Sequence, residues 1–258
     1  QVGLADRHKV AEGPEALKAE LDRMATDNTA HVVVDAVANA DLTIIAEACR
    51  NMSLMTGGSA LAMPLPDLYL ADGLLTGNAP RRKTPELSAD SIVLSGSCSA
   101  MTQAQVSTYI ATGAPAYRLD PLDLAANGVG AALEWLSGQT LSDAPLIYAT
   151  ADPEAVRTAQ QALGTEAAGA IVETALADIA LAALNAGTRC FVIAGGETSG
   201  AVTKALGVAD LTVGAEIAPG VPWCFGHSAG HDIALTLKSG NFGAESFFAD
   251  ALAQLVTA

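Results

Sequence analysis

Hydrophobic and polar positions follow two patterns along the chain: short apolar runs and longer stretches with helical spacing. The apolar runs predict strands, and the stretches with helical spacing predict helices. In the first third of the chain, a β-branched run at His31–Val37 precedes helical spacing over Leu42–Arg50 and a short apolar run at Leu54–Thr56. These three segments predict one strand–helix–strand unit.

A second block begins with a buried-strand pattern at Ser91–Ser95, followed by helical spacing over Thr102–Thr112. Further predicted strands are Ala116–Leu119, Pro145–Thr150, Arg189–Ala194, Leu211–Val213 and Ile233–Leu237. Further predicted helices are Gly128–Leu136, Pro153–Leu163, Thr165–Ala186, Ser199–Leu206 and Ala244–Leu255. The alternating order predicts an α/β fold, with a mostly parallel sheet flanked by helices.

Between the two blocks, the periodicity is lost over Asp72–Asp90, a stretch that contains Pro, Gly, Asn and Arg. Such a composition is typical of a connecting segment. We therefore predict a linker over residues 73–90, between a first block of residues 1–72 and a second of residues 91–258. The basic run Arg81–Lys83 within it is typical of a solvated linker.

Composition and charge exclude several classes of protein. Half of the 258 residues are hydrophobic and 16% are charged, which allows a large core and excludes intrinsic disorder. A net charge of −15 would repel a polyanion, so we expect no nucleic acid partner. No apolar run free of polar residues reaches the roughly 18 residues of a membrane span, so we expect no membrane partner.

The cysteines and the first residues bear on location. Four widely separated cysteines, without a Cys-x-x-Cys pair, predict reduced thiols in a cytoplasmic protein. The chain does not open with the basic and then apolar segments of a secretion signal. Because the chain is rich in Ala and apolar overall, we also expect that it can form a homo-oligomer.

The strongest local feature for function is the segment Phe191–Gly200. A buried-strand pattern ends there in Gly195 and Gly196, followed by Glu197 and Thr198 before a helix. Glycines let a backbone approach a phosphate, and the amides of a helix N-terminus bind anions. The same pattern also fits an ordinary turn in which Thr198 caps the helix.

Two other predicted strands end in similar turns. Ser95–Ser99 offers hydroxyls such as that of Ser97, and Leu237–Gly243 offers Lys238 as a point charge beside Gly240. Taken singly, each turn also fits a helix cap or a surface glycine loop. The carboxyl ends of parallel strands share one rim of the sheet, where ligands bind, and this favours a functional interpretation of the set.

Other motifs are weaker. Gly220–Trp223 is typical of a turn that carries an aromatic residue, which covers the core or borders a ligand cleft. Gly226–Gly230 matches Gly-x-Ser-x-Gly, which allows Ser228 as a hydrolase nucleophile, although a glycine-rich turn fits better. A metal site at His227 and His231 is disfavoured because both lie in a glycine-rich segment without a glutamate between them.

Taken together, the turns resemble one family. Leu94–Ser99, Gly195–Gly200 and Leu237–Gly243, with Gly220–Trp223 between the last two, look like the nucleotide-binding C-terminal domain of the four-carbon acid sugar kinases. This family includes 3-oxo-tetronate kinases and threonate kinases. The resemblance extends from Ile92 to about Leu252, and four motifs in the same order make it specific.

The first block resembles the end of the same family's sugar-binding N-terminal domain. The matching segments are Asp35–Val37, the helix around Ala40–Cys49, and Thr56–Leu61. In the family, this domain is longer and begins with a strand that ends in Asp-Asp-x-Thr-Gly, which this sequence lacks. The resemblance therefore implies a remnant of a second α/β domain and leaves the catalytic residue unassigned.

The resemblance implies ATP-dependent phosphorylation of the terminal hydroxyl of a 3-oxo-tetronate, threonate or erythronate, with Mg²⁺. The implied ATP-binding residues are Ser97, Gly195, Gly196, Glu197, Thr198, Lys238 and Gly240. Asp35 and Ser59 are weaker candidates for binding the sugar acid, and no residue is assigned to a metal. We expect residues 1–258 alone to bind nucleotide but transfer phosphate poorly. The alternative is a non-catalytic nucleotide-binding or regulatory module derived from such a kinase.

Overall fold

The computed structural model describes residues 1–77, 85, 87–88 and 90–256. The chain forms two compact units, Gln1–Arg82 and Lys83–Ala258. Half of the linker predicted at residues 73–90 lies outside the described residues, including Arg81, Arg82 and Lys83.

The first unit contains a two-stranded parallel sheet, in which β1 (Val2–Ala5) pairs with β2 (His31–Val34). Its helices are α1 (Arg7–Ala11), α2 (Pro14–Thr26), α3 (Asn39–Cys49) and α4 (Leu65–Ala71). The first two helices connect the strands, so a strand–helix–strand arrangement does exist, but it ends at β2 and does not begin there. The predicted strand at Leu54–Thr56 is wrong: a run of three residues has no neighbouring strand to pair with, and Leu54 is 81% exposed.

The second unit contains a seven-stranded sheet. Its strands are β3 (Ser91–Ser95), β4 (Ala116–Arg118), β5 (Leu146–Tyr148), β6 (Cys190–Ala194), β7 (Thr212–Ala218), β8 (Val221–Ser228) and β9 (His231–Lys238). Their spatial order is β4-β5-β3-β6-β9-β8-β7. Neighbours from β4 to β9 are parallel, and β8 is antiparallel to both of its neighbours. The prediction of an α/β fold with a mostly parallel sheet is confirmed.

Helices cover both faces of this sheet. They are α5 (Ala100–Ala111), α6 (Pro121–Asn127), α7 (Gly130–Ser137), α8 (Pro153–Leu163), α9 (Thr165–Ala186), α10 (Gly196–Ala205) and α11 (Phe247–Val256). Local chemistry accounts for several helix starts: the side chains of Ser99, Asp120 and Asp152 each accept a backbone N–H at the start of α5, α6 and α8.

The central strands are buried on both faces, and successive residues pack into different hydrophobic clusters. Ile92 and Leu94 of β3 pack into a core beside α9, whereas Val93 packs into a second core beside α5 and α11. All five residues of β3 and of β6 are buried. Such continuous burial is expected for parallel strands covered on both sides, and it holds their carboxyl ends rigidly in place.

The hairpin β8–β9 corrects two interpretations of the sequence. Val221–Trp223 lies within β8 and not in a turn, because it pairs with strands on both sides; Trp223 is 2% exposed, which confirms its place in the core. Ser228 ends the same strand, and its Oγ donates to the carbonyl of Leu206 at 2.6 Å. A nucleophilic elbow requires a strand-to-helix turn, so the hydrolase alternative is wrong.

Helix α9 is long and apolar enough to cross a membrane by length and composition alone. Sequence inspection missed this because polar residues such as Glu173 and Asp178 interrupt its apolar positions. In the structure, Val172, Leu176 and Ile179 of this helix pack into the core under the sheet. The core helix of a globular domain passes the same test, so this is weak evidence for a membrane span.

Candidate functional site

The turns that follow β3, β6 and β9 meet at one rim of the sheet. The amides of Gly96 and Ser97, after β3, donate to the carbonyl of Ala194 at 3.0 and 3.2 Å. The amide of Gly195, after β6, donates to the carbonyl of Lys238 at 2.8 Å. The three predicted phosphate turns are therefore joined by backbone hydrogen bonds, as expected for parallel neighbours.

Glycines allow this close approach. Gly195 has φ +132°, which disfavours other residues, and a Cβ there would lie 2.7 Å from Thr198 Oγ1. A Cβ on Gly96 would overlap the same hydroxyl. Gly240 approaches the first turn, since a Cβ there would lie 3.1 Å from Ser97 Oγ. A side chain at Gly96 or Gly195 would push the turns apart, and one at Gly240 would have to displace Ser97 and Ser99 slightly.

The start of α10 presents free donors at this rim. Gly195 caps the helix, and the amides of Gly196, Glu197 and Thr198 have no acceptor within the described part of the chain. Gly196 is exposed, and nothing lies within 4 Å of where its Cβ would be. Free amides at a helix N-terminus bind anions, and a glycine lets an anion come close to them.

The carbonyl of Gly240 holds the third turn in place. It accepts hydrogen bonds from Ser99 Oγ at 2.7 Å, Thr102 Oγ1 at 2.8 Å and Lys238 Nζ at 2.7 Å. Ser99 and Thr102 belong to the first turn of α5, so they connect the turn after β9 to the turn after β3. Sequence reasoning missed both roles, although a Ser-x-x-Thr spacing at a helix start was a signal for capping.

Lys238 lies beneath the turns and not on the surface. Its side chain is fully buried, and Nζ also donates to Thr102 Oγ1 at 3.0 Å and to the carbonyl of Ser239 at 3.2 Å. No carboxylate of the described residues forms an ion pair with it. Burial lowers the pKa of Lys238 to about 8. The rim therefore contains a buried ammonium without a counter-charge, directly behind the turn of Gly240.

Glu173 of α9 reaches the same rim from below. Its Oε1 accepts from Thr198 Oγ1 at 3.1 Å, while Oε2 is shielded from solvent without a partner among the described residues. Burial raises the pKa of Glu173; the negative charge of Glu197 adds to this effect, and the bond from Thr198 opposes it. Sequence reasoning missed this residue, whose one signal was a carboxylate within an Ala-rich apolar helix.

Two family models match the chain: a sugar-binding N-terminal domain over residues 1–65 and a nucleotide-binding C-terminal domain over residues 92–248. A 3-oxo-tetronate kinase of Pseudomonas savastanoi pv. phaseolicola is 44% identical over 262 aligned residues, covering 100% of this chain and 60% of that protein. The chain belongs to the four-carbon acid sugar kinase family.

A second curated kinase and a solved structure are also similar to the chain. A 3-oxo-tetronate kinase of Cupriavidus necator is 44% identical over 257 aligned residues, covering 99% of the chain and 59% of that protein. A solved structure from Salmonella typhimurium LT2, described as a tRNA synthase, has a TM-score of 0.76 at 35% identity, covering 97% and 59% of the two chains. The chain thus spans about 60% of the length of the curated kinases it matches.

For this kinase family member, the structure brings most of the sequence-predicted site residues together. Ser97, Gly195, Gly196, Glu197, Thr198, Lys238 and Gly240 lie in or directly before the three joined turns of the second unit. Asp35 and Ser59 lie in the first unit. The amide of Asp35 donates to the carbonyl of Ala5 at 3.1 Å, and the exposed Ser59 begins a short 3₁₀ helix.

Proposed function

We propose that this chain takes part in ATP-dependent phosphorylation of the terminal hydroxyl of a four-carbon acid sugar. The observation that carries the proposal is the meeting of three glycine-containing turns, with free amides, at one rim of the nucleotide-binding domain. The names of the relatives favour a 3-oxo-tetronate as the acceptor. Threonate and erythronate are the other acceptors to test.

The residues at this rim fit the phosphates of ATP. The amides of Gly196, Glu197 and Thr198 and the hydroxyl of Ser97 are neutral donors, and the ammonium of Lys238 adds a positive charge behind them. Phosphoryl transfer depends mainly on positioning the reactants and stabilising charge on the phosphate oxygens. Such donors suit that purpose because they are fixed by the sheet.

The carboxylate of Glu197 gives this rim a ligand for a Mg²⁺ ion that arrives with the nucleotide. The described residues contain no group of three His, Cys, Asp or Glu side chains arranged to hold a metal. Mg²⁺ in kinases is commonly bound through one or two carboxylates together with substrate phosphates. Glu197, exposed in the first turn of α10, is the carboxylate beside the free amides. When bound, Mg²⁺ would offset phosphate charge.

We assign the two substrates to different parts of the chain. Residues 91–258 would bind nucleotide and residues 1–72 would contribute to binding the sugar acid, with residues 73–90 as the linker. Asp35 and Ser59 are the residues we propose for the sugar acid. The carboxylate of Asp35 would repel the carboxylate of the sugar acid, so Asp35 would instead accept hydrogen bonds from the sugar acid's hydroxyls.

Binding and turnover should be measured separately on the 258-residue chain. Calorimetry with Mg-ATP and Mg-ADP tests the nucleotide site, and ADP release tests turnover with 3-oxo-tetronates, threonate and erythronate as acceptors. Binding together with acceptor-dependent release supports a kinase. Binding without release is the result we expect of residues 1–258 alone. Adding an N-terminal segment that carries the Asp-Asp-x-Thr-Gly strand end should then restore release in a kinase, and failure to do so supports the alternative, a non-catalytic nucleotide-binding or regulatory module. Absence of nucleotide binding would contradict both.

A further inference from the structure

Beside the phosphate turns, the rim opens into a cavity of about 1000 Å³. The carboxyl ends of β4 and β5 and the helices α8 and α9 surround it. Its volume is at the upper end of the range for small-molecule sites. Gly96, Cys98 and Glu197 line the cavity and also belong to the turns, so one ligand can occupy both places.

The charge of the cavity is opposite to what a polyphosphate needs. Arg118 is the one basic residue that lines it among the described residues. Six carboxylates line it: Asp120, Asp152, Glu154, Glu166, Glu173 and Glu197. Such a field repels phosphates and favours an uncharged group that carries hydrogen-bond donors. Leu119, Leu122 and Val156 add an aliphatic wall against which a flat ring can pack.

Glu173 occupies the position between the cavity and the turns. Glu173 is among the residues that line the cavity, and its Oε1 accepts from Thr198, whose amide is one of the free donors at the turn. Its Oε2 has no donor among the described residues, and an unsatisfied buried acceptor lowers stability unless a ligand supplies a donor. A rotation of the half-buried Glu173 side chain would expose this atom to the cavity, where a hydroxyl of a ligand could donate to it.

We propose that this cavity holds the nucleoside half of the nucleotide, and that the carboxylate of Glu173 accepts hydrogen bonds from the ribose hydroxyls. The inference rests on the proposed function, because the phosphates must lie at the adjacent turns. In a nucleotide, the ribose lies between the phosphates and the base. Glu173 has the corresponding position, between the free amides of Gly196–Thr198 and the aliphatic part of the cavity.

The test compares three ligands by calorimetry on the 258-residue chain: Mg-ATP, its 2′,3′-dideoxy analogue and inorganic tripolyphosphate with Mg²⁺. We expect the dideoxy analogue to bind the unmodified chain roughly tenfold more weakly than ATP, because a carboxylate loses its hydroxyl donors. In the variant Glu173→Gln, this difference should shrink to less than about threefold, and tripolyphosphate should bind no more weakly than it does to the unmodified chain.

The matched control is Asp178→Asn, which removes one charge from the same helix at an exposed residue outside the cavity. It should keep the full preference for ATP. Equal binding of ATP and the dideoxy analogue by the unmodified chain would overturn the inference and leave the proposed function standing. So would a loss of tripolyphosphate binding in Glu173→Gln as large as the loss of ATP binding. If neither ATP nor tripolyphosphate binds, the proposed function fails and the inference fails with it.

Discussion

The rim of the sheet has two halves, which differ in how closely the connections after the strands approach each other and in charge. Over β3, β6 and β9, the turns touch each other through Gly96, Gly195 and Gly240, and the buried charged group is the ammonium of Lys238. Over β4 and β5, the connections stand apart around a cavity of about 1000 Å³ lined by six carboxylates. The strands are parallel in both halves, so the connections alone produce the difference.

This contrast shows how one sheet can orient a ligand whose two ends differ. The half with free amides and an ammonium attracts an anion, and the acidic half repels it. A nucleotide would therefore bind in one direction, with its phosphates at the turns and its nucleoside in the cavity. Four changes test this division, beginning with the one of largest expected effect.

Gly96→Val should abolish the close contact between the turns after β3 and β6. Its Cβ would overlap Thr198 Oγ1 and lie 3.3 Å from Glu173 Oε1, within a rigid strand end. We expect a loss of about 2–4 kcal/mol in the free energy of unfolding, measured by urea denaturation, and no detectable Mg-ATP binding. Gly130→Val, at an exposed helix start with open space around it, is the control and should leave binding unchanged.

The pH dependence of stability should report on Lys238. Its pKa is about 8 in the folded chain and near 10.5 when exposed, so the unfolded chain binds more protons between these values. Stability from this group therefore rises with pH over that window, by roughly 3 kcal/mol in total. The contribution of Lys238 is the difference in the pH dependence of the free energy of unfolding between the unmodified chain and Lys238→Met, measured across pH 7.5–10.5. The same slope in both would contradict the buried-ammonium assignment.

Nucleotide binding should raise the lowered pKa of Lys238, because phosphates favour the charged form of its side chain. We expect Mg-ATP binding at pH 8.5 to take up protons. Calorimetry in two buffers with different ionisation enthalpies gives the number of protons taken up. Lys238→Met should remove most of this uptake.

Gly196→Val should weaken binding at the turns and leave the fold intact. Its side chain would enter the open space through which a phosphate reaches the free amides. We expect about tenfold lower affinity for both Mg-ATP and tripolyphosphate, about 1.4 kcal/mol. Gly130→Val is again the control variant, because Gly130 and Gly196 are both exposed and each is the first residue of a helix. Unchanged affinity in a folded Gly196→Val protein would place the phosphates elsewhere.

The smallest expected effect is that of Glu197→Gln, at the boundary between the halves. Without Mg²⁺, the loss of a negative charge beside the free amides should raise tripolyphosphate affinity about two- to threefold. With Mg²⁺, this gain should disappear, because the carboxylate then contributes to binding the ion. Titrations in EDTA and in excess Mg²⁺ distinguish the two conditions. A gain of equal size in both would contradict the proposed contact between Glu197 and Mg²⁺.

Local patterns predicted the central part of the fold well. The buried runs of β3 and β6 indicated parallel strands covered on both faces, and the caps of α5 and α8 are visible as Ser99 and Asp152. The sequence pattern failed where hydrogen bonding to neighbouring strands determines the local structure. Residues 221–223 looked like a turn because they contain Pro222 and follow Gly220, but pairing with β7 and β9 makes them a strand.

For the site, the sequence by itself determined which turns have glycines, hydroxyls and the start of a helix, because these features depend on residues that are adjacent in the chain. Only the tertiary structure decided that Lys238 is buried under Gly240, and that Glu173 reaches Thr198 from a helix 25 residues earlier. Burial and contacts between distant segments depend on how the strands are ordered in the sheet. No spacing within one segment contains that order.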